Sequence, residues 1–255
     1  MTTIIAIANQ KGGVGKTTTA VTLAHGLAQR GKNVLLLDFD PQGQAARALH
    51  LSASAGIYSL LTMDTGAGET AYIQNKIIGT GRENFWLLPG NKQTADAQVM
   101  INSQERPVSW VRKTLERFCT SHYHHLILDS APSLGGIQER VLWSSDLVIV
   151  PTPVEALGSD GVRQVLETMK RLASEKGWQG GLFGVLPTFF MENVKEHNLN
   201  LNALRSTLGD LILPPIHRAA VLAECPAFGQ TIFEHAPRSR AAREYGRLVD
   251  IVMKA

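Results

Sequence analysis

Short apolar runs alternate with amphipathic stretches along this chain. The runs are rich in Val, Ile and Leu and end in polar or turn residues, a pattern typical of strands that are buried on both faces of a parallel sheet. We predict strands at Ile4–Ala8, Val34–Leu37, Phe85–Leu88, Leu126–Leu128, Leu147–Val150 and Leu182–Leu186.

The stretches between these runs have the spacing of helices with one apolar face. Pro107 suits the first turn of such a helix, where its missing N–H is not needed, whereas Ser52–Ser54 and Thr62–Gly68 have the composition of loops. The alternation predicts an α/β fold, with a mostly parallel twisted sheet and helices on both faces. We predict helices at Thr17–Gln29, Thr94–Ile101, Pro107–Phe118, Ile137–Trp143, Gly161–Ala173, Asn200–Leu208 and Arg240–Val252.

Length and composition indicate one globular domain. The chain has 255 residues, 44% of them apolar, which suffices for one large core, so we expect a single domain over residues 1–255. No apolar run approaches the roughly 18 residues of a membrane span, and no signal-peptide pattern precedes Ile4, so we expect a cytoplasmic protein. The formal net charge of +3 is small, so any nucleic-acid surface must come from the spatial arrangement of basic residues.

The first predicted strand leads directly into a glycine-rich segment with two lysines. Residues 9–19 read NQKGGVGKTTT. Glycines allow backbone N–H groups to crowd around an anion, and the helix that follows adds the positive end of its dipole. In such a loop Lys16 reaches the β- and γ-phosphates of a nucleotide, and the Thr17 hydroxyl binds Mg²⁺. The predicted nucleotide-binding residues are Lys11, Gly12, Gly13, Val14, Gly15, Lys16, Thr17 and Thr18.

Two further predicted strands end in carboxylates. Val34–Leu37 is followed by Asp38 and Asp40, and Leu126–Leu128 is followed by Asp129. The carboxyl ends of parallel strands lie at the edge of the sheet where open α/β folds bind ligands. Phosphoryl transfer requires a metal ion and a group that positions the attacking water, and these carboxylates are candidates for both tasks.

Together these motifs resemble those of the ParA/MinD family of ATPases. The segment KGGVGKT departs from the general pattern G-x-x-x-x-G-K-[ST] at Gln10 and matches the deviant Walker A loop of that family, which has an extra lysine at the position of Lys11. Residues 38–43 resemble the family's D-x-D-P-Q-G motif, and residues 125–133 resemble its Walker B strand. Later ParA-like segments lie at residues 184–188, 224–229 and 237–242. The chain is therefore most similar to the Soj-like ParA partition ATPases.

The resemblance assigns roles to individual residues. It implies ATP hydrolysis with Lys11, Lys16 and Asp40 as catalytic residues, with ATP and Mg²⁺ as cofactors. Lys11 would reach across a dimer interface to the nucleotide of the other subunit, and Asp40 would orient the attacking water. Asp129 would hold the Mg²⁺ shell through a water molecule, and Asp38 would support the metal and the switch region.

The resemblance also implies a cellular role. ParA-like proteins form a homodimer when ATP is bound, coat nucleoid DNA without sequence preference, and release it after a partner stimulates hydrolysis. The cargo is a plasmid, a chromosome or a protein body such as a carboxysome, and the partner is a ParB-like protein or a cargo adaptor. No helix-turn-helix extension precedes the ATPase motifs, so we do not expect operator binding.

The chain departs from the family at its DNA-binding residues. By motif spacing, two arginines that the family uses for DNA fall on Asn193 and Val221. Lys195, Arg205 and Arg218 lie nearby and are the predicted replacements, since phosphate contacts need charge near the backbone and no base-reading geometry. A second possible set consists of Arg238, Arg240, Arg243 and Arg247, of which the last three share one helix face; a solvated helix face is the favoured alternative.

Two other functions remain open on the sequence. A MinD-like positioning ATPase would bind lipid through a C-terminal amphipathic helix, and Tyr245, Leu248, Val249 and Val252 do share a helix face. That face lacks bulky aromatic anchors and an extended basic border, so we expect it to pack in the core and expect no membrane partner. A metabolic P-loop enzyme similar to dethiobiotin synthetase would need a polar pocket for an organic substrate, for which the sequence offers no residue cluster.

Several other polar residues are interpreted as structural. The histidines of residues 122–125 precede a strand without a matching carboxylate or cysteine, so a solvated turn with one packed ring is favoured over a metal site. Cys119 and Cys225 are far apart and belong to no C-x-x-C motif, which favours buried thiols. Asp146, which precedes a predicted strand, is interpreted in the same way.

Overall fold

One seven-stranded sheet runs through the part of the chain that the structure describes. The structure is a computed structural model and describes residues 2–64, 66–118, 122–132, 136–156 and 160–255. The strands are β1 (Thr3–Ile7), β2 (Val34–Asp38), β3 (Ile78–Gly79), β4 (Phe85–Leu88), β5 (His125–Asp129), β6 (Leu147–Pro153) and β7 (Gly181–Thr188).

The strand order brings three functional loops together. Neighbours in the sheet follow the order β3-β4-β2-β5-β1-β6-β7. Every pair is parallel except β3 and β4, which are antiparallel at the sheet edge. Because β5 lies between β1 and β2, the carboxyl ends of these three strands lie side by side. The glycine-rich segment and the predicted carboxylates therefore meet at one edge of the sheet.

Helices pack on both faces of the sheet. Alternate side chains of β2 belong to two different apolar clusters, one on each face of the sheet. Leu35 and Leu37 lie in the cluster that also contains side chains of the third, fifth, sixth, seventh and eighth helices of the chain. Val34 and Leu36 lie in the cluster that contains side chains of the first and last helices. This confirms the predicted α/β fold. The helices are α1 (Lys16–Ala28), α2 (Gln44–Ala48), α3 (Gly56–Thr62), α4 (Ala67–Gln74), α5 (Gln93–Ser103), α6 (Trp110–Phe118), α7 (Gly136–Ser144), α8 (Asp160–Lys176), α9 (Lys195–Leu208), α10 (Ala220–Glu224), α11 (Ile232–His235) and α12 (Arg240–Val252).

All the predicted strands are present, and Phe85–Leu88 has the predicted bounds. The strand β3 was not predicted, because two residues are too few to show a period. The interpretation of Thr62–Gly68 as a loop is wrong at both ends, since Thr62 ends α3 and Ala67 begins α4. Tertiary packing stabilises α3: a Cβ added at Gly56 would lie 2.7 Å from Leu88 Cδ1, so the helix begins flat against β4.

Two predicted helix starts are also wrong. Pro107 lies before α6, and its carbonyl accepts a hydrogen bond of 3.0 Å from the N–H of Trp110, where the helix begins. The proline therefore belongs to the turn that leads into the helix. In contrast, α9 begins at Lys195 and not at Asn200, because His197 and Leu201 already form a buried face one turn apart.

The predicted core-packing face of the C-terminal helix is confirmed. Tyr245, Leu248, Val249 and Val252 are buried against the cluster that includes α1. Gly26 permits the close approach of α1 and α12, since a Cβ there would lie 2.5 Å from Val249 Cγ2. In the part of the chain that the structure describes, no helix has the length and apolar composition that crossing a membrane requires.

Candidate functional site

The glycine-rich segment forms an open loop between β1 and α1. Gly13 and Gly15 have positive φ angles of 71° and 92°, a conformation that side chains other than glycine strain to adopt. A Cβ added at Gly12 or Gly13 would meet no atom within 4 Å, so these glycines border free space. The loop borders a cavity of about 240 Å³, lined by Gly12, Gly13, Gly15, Lys16, Thr17, Thr18, Asp40, Gln44, Pro132 and Phe189. This cavity has the position and the backbone of a phosphate cradle.

Two buried side chains hold the ends of the loop. Asn9 Oδ1 accepts a hydrogen bond of 2.9 Å from the Lys11 N–H, and Thr188 Oγ1 donates one of 3.0 Å to the Val14 carbonyl. Sequence reasoning missed both residues. Asn9 had a usable signal, because asparagine commonly bonds the backbone two residues further on. Thr188 had none, because it reaches the loop from the end of β7.

Lys16 is buried at the base of the cavity, with 7% of its surface exposed. Its Nζ donates a hydrogen bond of 2.9 Å to the Lys11 carbonyl. Burial lowers the pKa of Lys16, and the charges of Asp129 and Asp40 oppose that shift. The predicted lysine of the loop therefore lies beside the predicted carboxylates.

Asp129 is the least satisfied polar group of the site. It is fully buried, and neither carboxylate oxygen has a hydrogen-bond partner in the described residues. Burial and the charge of Asp38 raise its pKa well above the usual value, whereas the nearby Thr17 hydroxyl and the Lys16 ammonium lower it. A buried carboxylate without donors, next to a hydroxyl, is an oxygen-rich donor set that fits Mg²⁺.

Asp38 and Asp40 shape the loop that follows β2. Asp38 Oδ1 accepts a hydrogen bond of 3.1 Å from the Asp40 N–H, and Asp38 Oδ2 accepts one of 2.9 Å from the Ala45 N–H. Burial is the main cause that raises the pKa of Asp38 to about 7. Asp40 Oδ1 accepts a bond of 2.8 Å from the Gln42 N–H, and Asp40 lines the phosphate cavity. Asp38 thus holds the backbone, and Asp40 faces the cavity.

The Lys11 side chain differs from that of Lys16 in its surroundings. Lys11 is exposed to solvent, although its backbone N–H and carbonyl are both bonded within the loop. The two lysines therefore provide one buried cation below the loop and one exposed cation at its rim.

A second cavity adjoins the phosphate cavity through Gly15 and Thr18. It has a volume of about 390 Å³, which is in the range of small-molecule sites. The chain turns at Phe189, directly after β7, where the φ of 54° is in the left-handed region, and Phe189 lines this cavity. Sequence reasoning missed this pocket. The other residues that line it are Thr188, Ile216, His217, Arg218, Ala219, Ala220, Leu222, Ala223 and Tyr245.

The predicted DNA-binding residues Lys195, Arg205 and Arg218 are exposed, and Arg218 also lines this second cavity. The Arg218 N–H donates a hydrogen bond of 2.9 Å to the Phe190 carbonyl, which places Arg218 near the turn that leads to Lys195. Arg205 lies further along α9, about 15 Å from Lys195 at the helical rise of about 1.5 Å per residue. Val221, one of the two positions at which the family has arginine, packs against the core.

The arginines of the second basic set differ in whether acidic side chains compensate their charge. Arg240 bonds the carboxylates of Glu192 and Glu244, so its charge is compensated. Arg243 and Arg247 are exposed and border a surface cavity of about 400 Å³ together with Pro214, Pro215 and His217.

The remaining polar residues have structural contacts. As predicted, Asp146 is structural: its carboxylate accepts hydrogen bonds from the Ile4 N–H and from Arg112. In the predicted turn, His124 Nδ1 accepts a bond from the Asn33 N–H, and burial lowers the pKa of His125 to about 4. Cys119 lies outside the described residues.

The other cysteine is buried, as predicted. Cys225 Sγ donates a hydrogen bond of 3.0 Å to the Val221 carbonyl, and burial raises its pKa to about 11.

Comparison with known proteins shows the family. A family model described as an AAA domain matches residues 2–178. The chain is 34% identical to the chromosome-partitioning ATPase Soj of Thermus thermophilus over 250 residues, covering 98% of this chain and 94% of that protein.

Two solved structures share the fold over nearly the whole chain. Apo McdA from Cyanothece is 20% identical, has a TM-score of 0.85, and the match covers 99% of this chain and 100% of McdA. Cobyrinic acid a,c-diamide synthase from Mycobacterium smegmatis, with bound ATP analogue and magnesium, is 26% identical, has a TM-score of 0.81, and the match covers 100% of this chain and 95% of the synthase. With a Soj relative that is 34% identical and matched over nearly its full length, the chain belongs to the Soj/ParA family of partitioning ATPases.

Proposed function

We propose that this ATPase dimerises when it binds ATP, binds DNA without sequence preference in that state, and thereby segregates or positions a large cargo. One observation carries the proposal. The loop already has a buried lysine, Lys16, for its own phosphates, and it presents a second lysine, Lys11, to solvent. An exposed cation at the rim of a phosphate site can bind the nucleotide of another subunit.

ATP would occupy the two adjoining cavities. The loop N–H groups and Lys16 would bind the phosphates in the smaller cavity, and the base would occupy the larger one beside Phe189. Thr17 would bind Mg²⁺ directly and Asp129 through water, and the ion would neutralise charge on the phosphates. A relative of similar fold with bound ATP analogue and magnesium supports these two cofactors.

Hydrolysis would depend on the loop after β2. Asp40 faces the phosphate cavity and would orient the attacking water. Asp38 would act by holding the Asp40 and Ala45 N–H groups, which fixes Asp40 relative to the sheet. A partner protein, either ParB-like or a cargo adaptor, would raise the rate of this step.

The nucleotide would control dimerisation through Lys11. A ligand shifts an equilibrium only if it interacts differently with the two states. Lys11 of one subunit would contact the γ-phosphate held by the other subunit, a contact that ADP does not offer. Hydrolysis would therefore favour the separated subunits.

DNA would bind the surface that carries Lys195 and Arg218. Both side chains are exposed, and the exposed Arg243 and Arg247 extend the basic character around the His217 cavity. In a dimer two such surfaces would act together, which compensates for a net charge of only +3. Nucleoid association in the cytoplasm would follow from this binding.

The test is ATP-dependent binding to DNA fragments of unrelated sequence. We expect binding with a non-hydrolysable ATP analogue, little binding with ADP, and a steep decrease of affinity with salt. Lys195→Gln, which lines neither cavity, should weaken binding equally for all fragments and lower the salt slope by about 1, whereas Lys170→Gln on the exposed face of α8 should change neither.

Two outcomes would contradict the proposal. Binding to anionic vesicles but not to DNA would favour a MinD-like role, although the apolar face of α12 is buried. ATP turnover that strictly requires a small organic acid would favour a metabolic enzyme.

A further inference from the structure

Asn9 connects the phosphate-binding loop to the end of a neighbouring strand. It is 1% exposed and lies two residues before Lys11. Its Nδ2 donates to the Pro151 carbonyl at 2.8 Å and to Thr152 Oγ1 at 3.3 Å, both at the carboxyl end of β6. Its Oδ1 accepts the Lys11 N–H at 2.9 Å. One side chain thus bonds both the loop and the sheet.

These bonds are not needed to join the two strands. The strands β1 and β6 already pair through their backbones, and the Ala8 N–H extends that pairing with a bond of 3.0 Å to the Ile149 carbonyl. The Asn9 side chain makes its bonds beyond the last backbone hydrogen bond between these two strands. Its contribution therefore lies in fixing the direction of the chain at Lys11.

The peptide groups on either side of Lys11 are held by two side chains. Asn9 Oδ1 accepts a hydrogen bond from the Lys11 N–H, and Lys16 Nζ donates one to the Lys11 carbonyl. In the proposed ATP state Lys16 must share its three N–H donors between phosphate oxygens and this carbonyl, whereas the buried Asn9 keeps its bond to the Lys11 N–H. Asn9 is therefore the side chain that fixes the Lys11 backbone independently of the nucleotide.

We propose that Asn9 is a positioning residue that aims Lys11 at the nucleotide of the second subunit. This inference rests on the proposed function, in which Lys11 acts across a dimer interface. The buried Asn9 side chain anchors Lys11 to Pro151 on the rigid sheet, which reduces the conformational freedom lost when the long lysine side chain binds.

The experiment compares ATP-dependent dimerisation with nucleotide binding. Asn9→Ala should weaken dimerisation with a non-hydrolysable ATP analogue by about tenfold, or about 1.4 kcal/mol, measured by light scattering, because the Lys11 contact is then less well oriented. Binding of a fluorescent ADP analogue should change by less than about threefold. Asn198→Ala, which removes an asparagine bonded within the first turn of α9, is the matched control and should leave dimerisation unchanged.

A conservative variant separates positioning from a structural role. Asn9→Ser should recover part of the dimerisation, since a serine hydroxyl can accept the same N–H in an ST turn. An Asn9→Ser protein that dimerises as poorly as Asn9→Ala, or a parallel loss of ADP affinity and thermal stability in Asn9→Ala, would overturn the inference.

The wild-type protein distinguishes failure of this inference from failure of the proposed function. If the wild type does not dimerise with the ATP analogue, the proposed function is wrong. If it does and Asn9→Ala dimerises equally well, only the role of Asn9 is wrong.

Discussion

Lys16 Nζ donates a hydrogen bond of 2.9 Å to the backbone carbonyl of Lys11, so the two lysines of the phosphate-binding loop are joined. The bond gives the buried ammonium of Lys16 a partner in addition to the nearby Asp129 and Asp40 carboxylates. Phosphate oxygens are stronger acceptors than a carbonyl because of their negative charge, and the ammonium has three N–H donors. In the proposed ATP-bound state Lys16 can therefore bind phosphate while it still holds the Lys11 carbonyl.

Lys16→Ala should abolish ATP binding. The substitution removes the buried cation of the phosphate cavity, and charge-assisted hydrogen bonds contribute about 1.5–3 kcal/mol each, so we expect a loss of at least about 100-fold in affinity. Titration with a fluorescent ATP analogue measures it, with the exposed Lys170→Ala as control. Affinity within about threefold of the wild type would exclude the assigned role of Lys16.

Asp40→Ala should leave ATP binding intact and slow hydrolysis by about 100-fold or more, because it removes the group that orients water. The ATP-bound dimer should then persist on DNA. Asp40→Asn tests the chemistry separately, since its Oδ1 can still accept the Gln42 N–H that shapes the loop. Its amide oxygen can also accept a hydrogen bond from water, so the difference between the two variants shows how much of the effect depends on the negative charge. If Asp40→Ala hydrolyses ATP at the normal rate, Asp40 does not position the water.

Gly90→Ala should destabilise the protein and slow hydrolysis together. A Cβ at Gly90 would lie 2.3 Å from the Asp38 carbonyl oxygen and 3.0 Å from that of Asp40, so the loop that carries Asp40 must move. We expect a loss of about 1–3 kcal/mol of unfolding free energy, measured by urea denaturation. Gly79→Ala is the control, because a Cβ there meets no atom within 4 Å. Equal behaviour of the two variants would contradict the tight contact at Gly90.

His25 should make the stability depend on pH. Burial lowers the pKa of His25 to about 4 from 6.5, so the folded state favours the neutral ring. Its contribution is complete above pH 6.5 and is lost as the pH falls towards 4. Between about pH 7.5 and pH 5 the wild type should lose about 2 kcal/mol more than His25→Asn, measured by denaturation at each pH. His125, with a similarly lowered pKa, affects both proteins equally. A parallel pH dependence of the two proteins would show that His25 does not titrate in this way.

The sequence predicts the central sheet because its strands are continuous apolar runs bounded by turn residues. It does not predict α3 and α4, which are short and flank or enter the stretch 62–68, where the Gly, Thr and Asp content is typical of loops. Their helical state depends on contacts such as Gly56 against Leu88, which join residues far apart in the sequence. Strand order is likewise set by crossover packing and not by any local pattern.

At the site, the loop motif and the carboxylates are predictable because one short segment carries each of them. The contact of Thr188 with Val14 and the second cavity cannot be predicted in this way. They form between β7, the 216–223 segment and the loop, which are far apart in the sequence. The sequence also groups Arg240 with Arg243 and Arg247. It cannot show that Glu192 and Glu244 compensate the charge of Arg240 in three dimensions.

The central claim is that ATP is bound between two subunits through Lys11. Light scattering of the wild type and of Lys11→Ala, each with ADP and with a non-hydrolysable ATP analogue, tests it most directly. The account predicts a wild-type dimer with the analogue only, and a Lys11→Ala protein that binds the analogue but stays monomeric. A Lys11→Ala protein that dimerises as well as the wild type, or a wild type that stays monomeric with the analogue, would contradict it.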